Sequence, residues 1–194
     1  MPPLERSSNT TRPQHADIGA STRVAAMSSN GIPDSTAYDR MVELLDREGA
    51  AYTIIDHPPE GRTEIVSAMR GHEVRDAAKC IILMVKVGKK VTRFVLAVIP
   101  GDSKVDMEAV KRLKRGTFIR FADTAIAEEL AGSVSGTILP FCFDPRLELI
   151  VDSQLVTNSE TIYFNAARLD RSFALRTADY VRIAQPRIES IATL

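Results

Sequence analysis

The chain has 194 residues, 44% of them hydrophobic and 26% charged, with 25 basic side chains balanced by 25 acidic ones. This is the composition of one ordinary globular domain with some tail, and no apolar run approaches the roughly 18 residues that span a bilayer. Zero net charge argues against bulk electrostatic gripping of long nucleic acid, though not against a local basic patch. Cys80 and Cys142 form no CxxC pair, and His15, His57 and His72 are scattered. No disulfide scaffold, metal site or cofactor is therefore expected.

Residues 1–34 are rich in Ser, Thr, Asn, Arg and Pro, without helical or strand periodicity or the apolar core of a secretory signal, and read as a flexible N-terminal tail. Met27 offers a second translation start within it. Asp34 or Ser35 can cap a helix with Tyr38, Met41, Val42 and Leu45 on one face and Gly49 as its stop. Residues 51–57 read as a short strand, and Thr63 opens a second short helix ending at Gly71. Two apolar runs, 79–87 and 91–100, joined by Gly88-Lys89-Lys90, form a hairpin. Asp102-Ser103 can cap a helix through Arg115, followed by a strand at 117–121 and a helix from Asp123-Thr124 to Gly132. After a Gly-rich crossing (132–140), strands are expected at 147–151, 161–165 and 173–176, then a helix from 177 to about 184. Several neighbouring strands have hairpin-length connections, so a purely parallel sheet is excluded. The expectation is a single α+β domain over 35–188, a mixed β-sheet surrounded by helices, with a C-terminal tail at 189–194.

Several residues suggest chemistry. His57 sits at a strand end, where binding groups are often carried, and reads equally as a surface histidine. Lys79 opens an almost wholly apolar strand, so it either anchors an anion or snorkels into water. Gly132 and Gly136 flank a segment whose backbone can approach a ligand, or they belong to a plain loop. Lys111, Arg112, Lys114 and Arg115 complement a helix C-terminus, and with the Lys86, Lys89 and Lys90 hairpin they also form a candidate phosphate-binding surface. Cys80 alternates to the face opposite Lys79 and reads as core. There is no Walker A loop, nucleophile elbow or catalytic triad.

In order and spacing, these landmarks resemble the YbaK/prolyl-tRNA-synthetase-associated domain family of aminoacyl-tRNA deacylases. The resemblance runs over residues 37–185: His57, Thr63, Ala68, Lys79, Pro100-Gly101-Asp102, Val105-Asp106, Gly132, the Gly136-Thr137-Ile138-Leu139-Pro140 GxxxP element, Asp152, Asn165-Ala166 and Ser172. It implies a cytoplasmic, metal-independent deacylase that hydrolyses the ester of a mischarged tRNA in trans. Its partners would be the tRNA acceptor end and an aminoacyl-tRNA synthetase. The alternative is a catalytically silent module of the same fold that binds tRNA or a small ligand. By the same resemblance Lys79 holds the phosphate or ribose of the terminal adenosine, and the backbone around Gly136 lines the aminoacyl pocket. His57 joins Lys79 and Gly136 as a catalytic candidate. Thr63, Cys80, Gly132, Thr137, Ile138, Pro140 and Asp152 are candidate substrate contacts, and the KRLKR cluster at 111–115 is the candidate nucleic-acid contact. Cys80, the FCFDPRLEL segment after Pro140, and Ala167, where relatives often have glycine, depart from the family pattern.

Overall fold

Residues 36–193 are described in a computed structural model, so the tail expected at 1–34, and Met27 with it, lie outside the described residues. The first helix, α1 (Ala37–Arg47), is capped by Thr36 rather than Asp34 or Ser35: Thr36 Oγ1 accepts from Asp39 N, and Thr36 N donates back to the Asp39 carboxylate, both at 3.2 Å. Its apolar face buries Met41 and Leu45 completely. β1 (Tyr52–Asp56) follows, then α2 (Thr63–Arg70), in which Thr63 is the first helical residue rather than the cap.

The two long apolar runs become β2 (Ala78–Val87) and β3 (Val91–Pro100), paired antiparallel from Ala78 opposite Pro100 to Val87 opposite Val91. They form the centre of a mixed five-stranded sheet of order β5-β2-β3-β6-β9, completed by β5 (Phe118–Phe121), β6 (Leu147–Asp152) and β9 (Arg187–Glu189). β5 joins antiparallel, whereas β6 and β9 join parallel. A second, antiparallel sheet of order β1-β8-β7 contains β7 (Thr161–Asn165) and β8 (Arg171–Arg176). One bridge, Ala77 to Tyr163, ties the two sheets together beside the start of β2.

Side-chain alternation along β2 and β3 sorts the core into two halves. Ala78, Ile82, Leu96 and Val98 face the second sheet, α1 and α4 (Thr124–Ala131). Leu83, Val85, Val95, Ala97 and Ile99 face the other way, under Val110 and Leu113 of α3 (Met107–Leu113).

Three expectations need correction. α3 begins at Met107, capped by Asp106, whose carboxylate accepts from Ala109 N (2.9 Å), because Lys104–Val105 is drawn into a two-residue strand, β4, against β10 (Ala192–Thr193). A short helix, α5 (Ser153–Asn158), follows β6 where none was expected. The chain also remains structured past residue 188: β9, β10 and a fully buried Ile191 replace the C-terminal tail, through Thr193. The final helix, α6 (Thr177–Ala184), lies where the sequence puts it.

Candidate active site

A cavity of about 120 Å³ opens where α2, the start of β2, β7 and the loop carrying Gly136 converge. On α2, Thr63, Val66 and Arg70 share one face at i, i+3 and i+7 and form one wall. Lys79 and Cys80 border it from β2, Asn165 from β7, and Gly136 and Ile138 from the loop. Neither Phe141 nor Phe143 fills it: Phe141 packs edge-on against Tyr180, and Phe143 lies beneath the Arg40 guanidinium.

The loop is fixed by contacts that leave little choice of residue. Gly136 has φ +85, and a Cβ there would sit 3.3 Å from the Gly61 backbone, a close approach that glycine alone makes without strain. The Asn165 side chain clamps the same two loops, donating from Nδ2 to Gly136 O (2.8 Å) and Glu60 O (3.1 Å). Its Oδ1 accepts from Ser172 Oγ (3.1 Å) and from Arg70 Nη2. Arg70 Nε donates to Ser172 Oγ (2.8 Å), and His57 Nε2 lies 2.6 Å from that same hydroxyl. A polar chain of four side chains thus runs from His57 to the cavity. Burial lowers the Arg70 guanidinium pKa to about 10, so it stays charged at neutral pH.

The expected site residues divide into two groups. Lys79, Gly136, Thr63, Cys80 and Ile138 come together around the cavity. The Lys79 ammonium donates to Ser103 O at 3.0 Å. Burial pushes the Cys80 thiol well above its ordinary pKa, so it remains protonated and is no thiolate nucleophile. The remaining residues lie apart from the cavity. His57 reaches it only through Ser172. Gly132 terminates α4, and Thr137 is buried with its hydroxyl donating to Val134 O (2.7 Å). Pro140 O accepts from the Tyr180 hydroxyl (2.9 Å). Asp152 caps α5 through Gln154 N (2.9 Å) and accepts from Ile191 N and Ala192 N (2.8 Å each), so its carboxylate is spent on structure. In the basic cluster, Lys111 pairs with Glu108 (2.7 Å) and Lys114 with Glu148, while Arg112 and Arg115 are exposed. α3 covers the sheet face opposite Ala78 and Cys80.

Sequence reasoning missed Arg70 and gave Asn165 and Ser172 only as landmarks. The available signal was a single cation at the i+7 position of the α2 face that also carries Thr63 and the buried Val66. Among the described residues, no group of three His, Cys, Asp or Glu side chains is arranged to hold a metal.

A family model described as an aminoacyl-tRNA editing domain matches residues 57–183. The chain belongs to the aminoacyl-tRNA editing domain family. It is 38% identical over 154 residues to the Multifunctional Ser/Thr-tRNA deacylase ProXp-y of Escherichia coli K12, covering 79% of this chain and 92% of that protein, and the O157:H7 protein gives the same figures. A solved structure described as a "putative trans-editing enzyme for prolyl tRNA synthetase" superposes with a TM-score of 0.68 at 18% identity, covering 81% of this chain and 98% of that one. That of a hypothetical protein superposes at 0.71 with 18% identity, covering 79% and 99%. The fold is therefore that of the trans-editing domains. The protein is an aminoacyl-tRNA deacylase, a hydrolase acting on mischarged aminoacyl-tRNA. Ala167 holds a positive φ (+55), a backbone conformation that glycine adopts at lower cost.

Proposed function

We propose that this deacylase removes serine or threonine from mischarged tRNA, with the aminoacyl group seated in the cavity between α2, β2 and the Gly136 loop. Two observations support the reading: the cavity is bordered by two half-buried cations, Arg70 and Lys79, that have no carboxylate partner among the described residues, and a relative named as a Ser/Thr-tRNA deacylase is 38% identical. Lys79 would hold a phosphate or the ribose of the terminal adenosine. The Gly136 and Ile138 segment would line the pocket and hold the ester carbonyl in place.

No side chain of the cavity is an evident strong base or nucleophile. Hydrolysis of an activated ester does not demand one: positioning supplies much of the barrier reduction, and fixed positive charge stabilises the oxyanion as it develops. Attack by a water, activated through a hydroxyl of the substrate's own ribose, completes the step. His57 acts at one remove, by orienting Ser172 and through it Arg70.

The compartment is the cytoplasm, where tRNA is charged; among the described residues no helix is long and apolar enough to cross a membrane. With Lys111 and Lys114 already ion-paired and α3 on the far face of the sheet, a partner aminoacyl-tRNA synthetase would supply the grip on the tRNA body. The anchoring role is tested with Lys79→Met. Its kcat/KM on seryl-tRNA should fall by about 10- to 100-fold, the worth of one charged hydrogen bond, while wild-type kinetics would remove Lys79 from the account.

A further inference from the structure

The arginine at the cavity differs from its counterparts on the surface. Arg62, Arg120, Arg146, Arg168, Arg171 and Arg176 each face a carboxylate within 3.0 Å. Arg70 is more buried than any of these, yet it has no such partner among the described residues and is held by two uncharged oxygens, Ser172 Oγ and Asn165 Oδ1. A guanidinium carries five N–H donors, and these two contacts use one on Nε and one on Nη2. The others are left for a ligand in the cavity that Arg70 helps to line. Nη1 is not among the buried polar atoms left without a partner, so it stays open to solvent, and an oxygen acceptor entering the cavity can replace that water.

Three features narrow the acceptor. Val66, Ile138 and Phe164 bound a space of about 120 Å³, room for a small amino-acid side chain. The side-on edge of the guanidinium, Nε with Nη2, is already occupied by two neutral oxygens, which leaves the end-on Nη1 and Nη2 donors for a ligand. A fixed positive charge also repels the α-ammonium of the aminoacyl group, which must then point toward the mouth and send its side chain toward Arg70.

We propose that Arg70 is the specificity-determining residue of this deacylase, donating to the side-chain hydroxyl oxygen of a seryl or threonyl ester and thereby selecting hydroxyl-bearing amino acids over alanine. This rests on the Ser/Thr reading above. Asn165 and Ser172 are positioning residues for Arg70, since their side-chain oxygens accept from its guanidinium.

The test measures kcat/KM for one tRNA carrying serine, threonine or alanine, with wild type, Arg70→Met and Arg70→Lys, each checked for folding by its thermal transition. A binding readout accompanies it: the affinities of non-hydrolysable 3′-seryl- and 3′-alanyl-amino-adenosine. Arg70→Met should lower the serine-to-alanine ratio by about 10- to 100-fold in both assays, the discrimination one charge-assisted hydrogen bond provides. Arg70→Lys, which keeps charge and length but loses the planar geometry, should fall between, and it carries the test if Arg70→Met fails to fold. An unchanged ratio overturns the proposal, whether all three substrates fall together, as a phosphate or scaffold role would produce, or none falls. Failure of the Ser/Thr reading looks different, because wild type itself would then discharge neither seryl- nor threonyl-tRNA.

Discussion

Replacing Gly136 with alanine tests how tightly the cavity is set. The backbone there has φ +85, a conformation that costs an L-residue roughly 1–2 kcal/mol. The added Cβ would also stand 3.3 Å from both Cα and O of Gly61. Both are backbone atoms, so relief requires one loop to move by a few tenths of an ångström, against the Asn165 clamp that bonds Gly136 O and Glu60 O. The total is about 2 kcal/mol, or a fall in melting temperature of roughly 4–8 °C for a domain of this size. Gly49→Ala is the matched control. Its φ is +60 with nothing within 4 Å of a new Cβ, so it carries strain of about 1 kcal/mol without steric conflict. Deacylation at fixed enzyme concentration should drop roughly tenfold or more for Gly136→Ala, because small misplacements of a positioned ester are expensive, and should be unchanged for Gly49→Ala. Equal melting temperatures and equal rates for the two variants would refute the reasoning that the Gly61–Gly136 approach shapes the site.

The C-terminal strands should matter to stability: Ile191→Ala removes a fully buried side chain from the second core and should cost about 2–5 kcal/mol by denaturant titration, whereas a loss under about 0.5 kcal/mol would restore the tail reading. Asp179 gives the fold an acid limit. Its carboxylate accepts from Arg176 Nε (3.0 Å), Ala51 N (3.0 Å) and Arg182 Nη2 (3.1 Å), contacts that hold its pKa well below the usual carboxylate range. A depressed pKa contributes stability that is complete above the ordinary value near ~4 and is lost as pH falls through the folded one. Wild type should therefore lose melting temperature more steeply below about pH 4 than Asp179→Asn, and parallel curves would contradict this. On the far face of the sheet, neutralising the exposed Arg112 and Arg115 to Gln should leave the salt dependence of kcat/KM unaltered, while a slope shallower by about one per side chain would put the tRNA stem on α3.

Local pattern carried the centre of this fold and left its margins open. The β2–β3 hairpin was readable because two ten-residue apolar strands flank Gly88 and no competing periodicity exists. The start of α3 was misplaced because Asp102-Ser103 has the composition of a cap, yet Ser103 N closes a turn on Pro100 O (3.1 Å) and Lys104–Val105 pairs with residues almost ninety positions later. That long-range pairing has no local signature, and the same partner strand hid in a short C-terminal segment anchored by one isoleucine. α5 escaped because SQLVTN is six residues long and includes β-branched and turn-prone types. At the site, Lys79 and Gly136 stood out by residue type and neighbours and Ile138 through the family resemblance, and all three line the cavity. Asp152 misled for the converse reason: a carboxylate at a strand end looks available, and only the structure reveals three backbone amides bonded to it. Arg70 was invisible because one arginine on a short helix carries no pattern until β7 and β8 bring Asn165 and Ser172 against it.

The most direct test of the account is multiple-turnover discharge of one tRNA species charged separately with serine, threonine, alanine and proline, at protein concentrations far below substrate. Many turnovers per protein molecule are expected on the seryl or threonyl ester, with alanyl and prolyl esters discharged much more slowly. Discharge of alanyl- or prolyl-tRNA with the seryl and threonyl esters left intact would contradict the assignment of the cavity to hydroxyl-bearing amino acids. Absence of turnover on all four would contradict the placement of the aminoacyl group there.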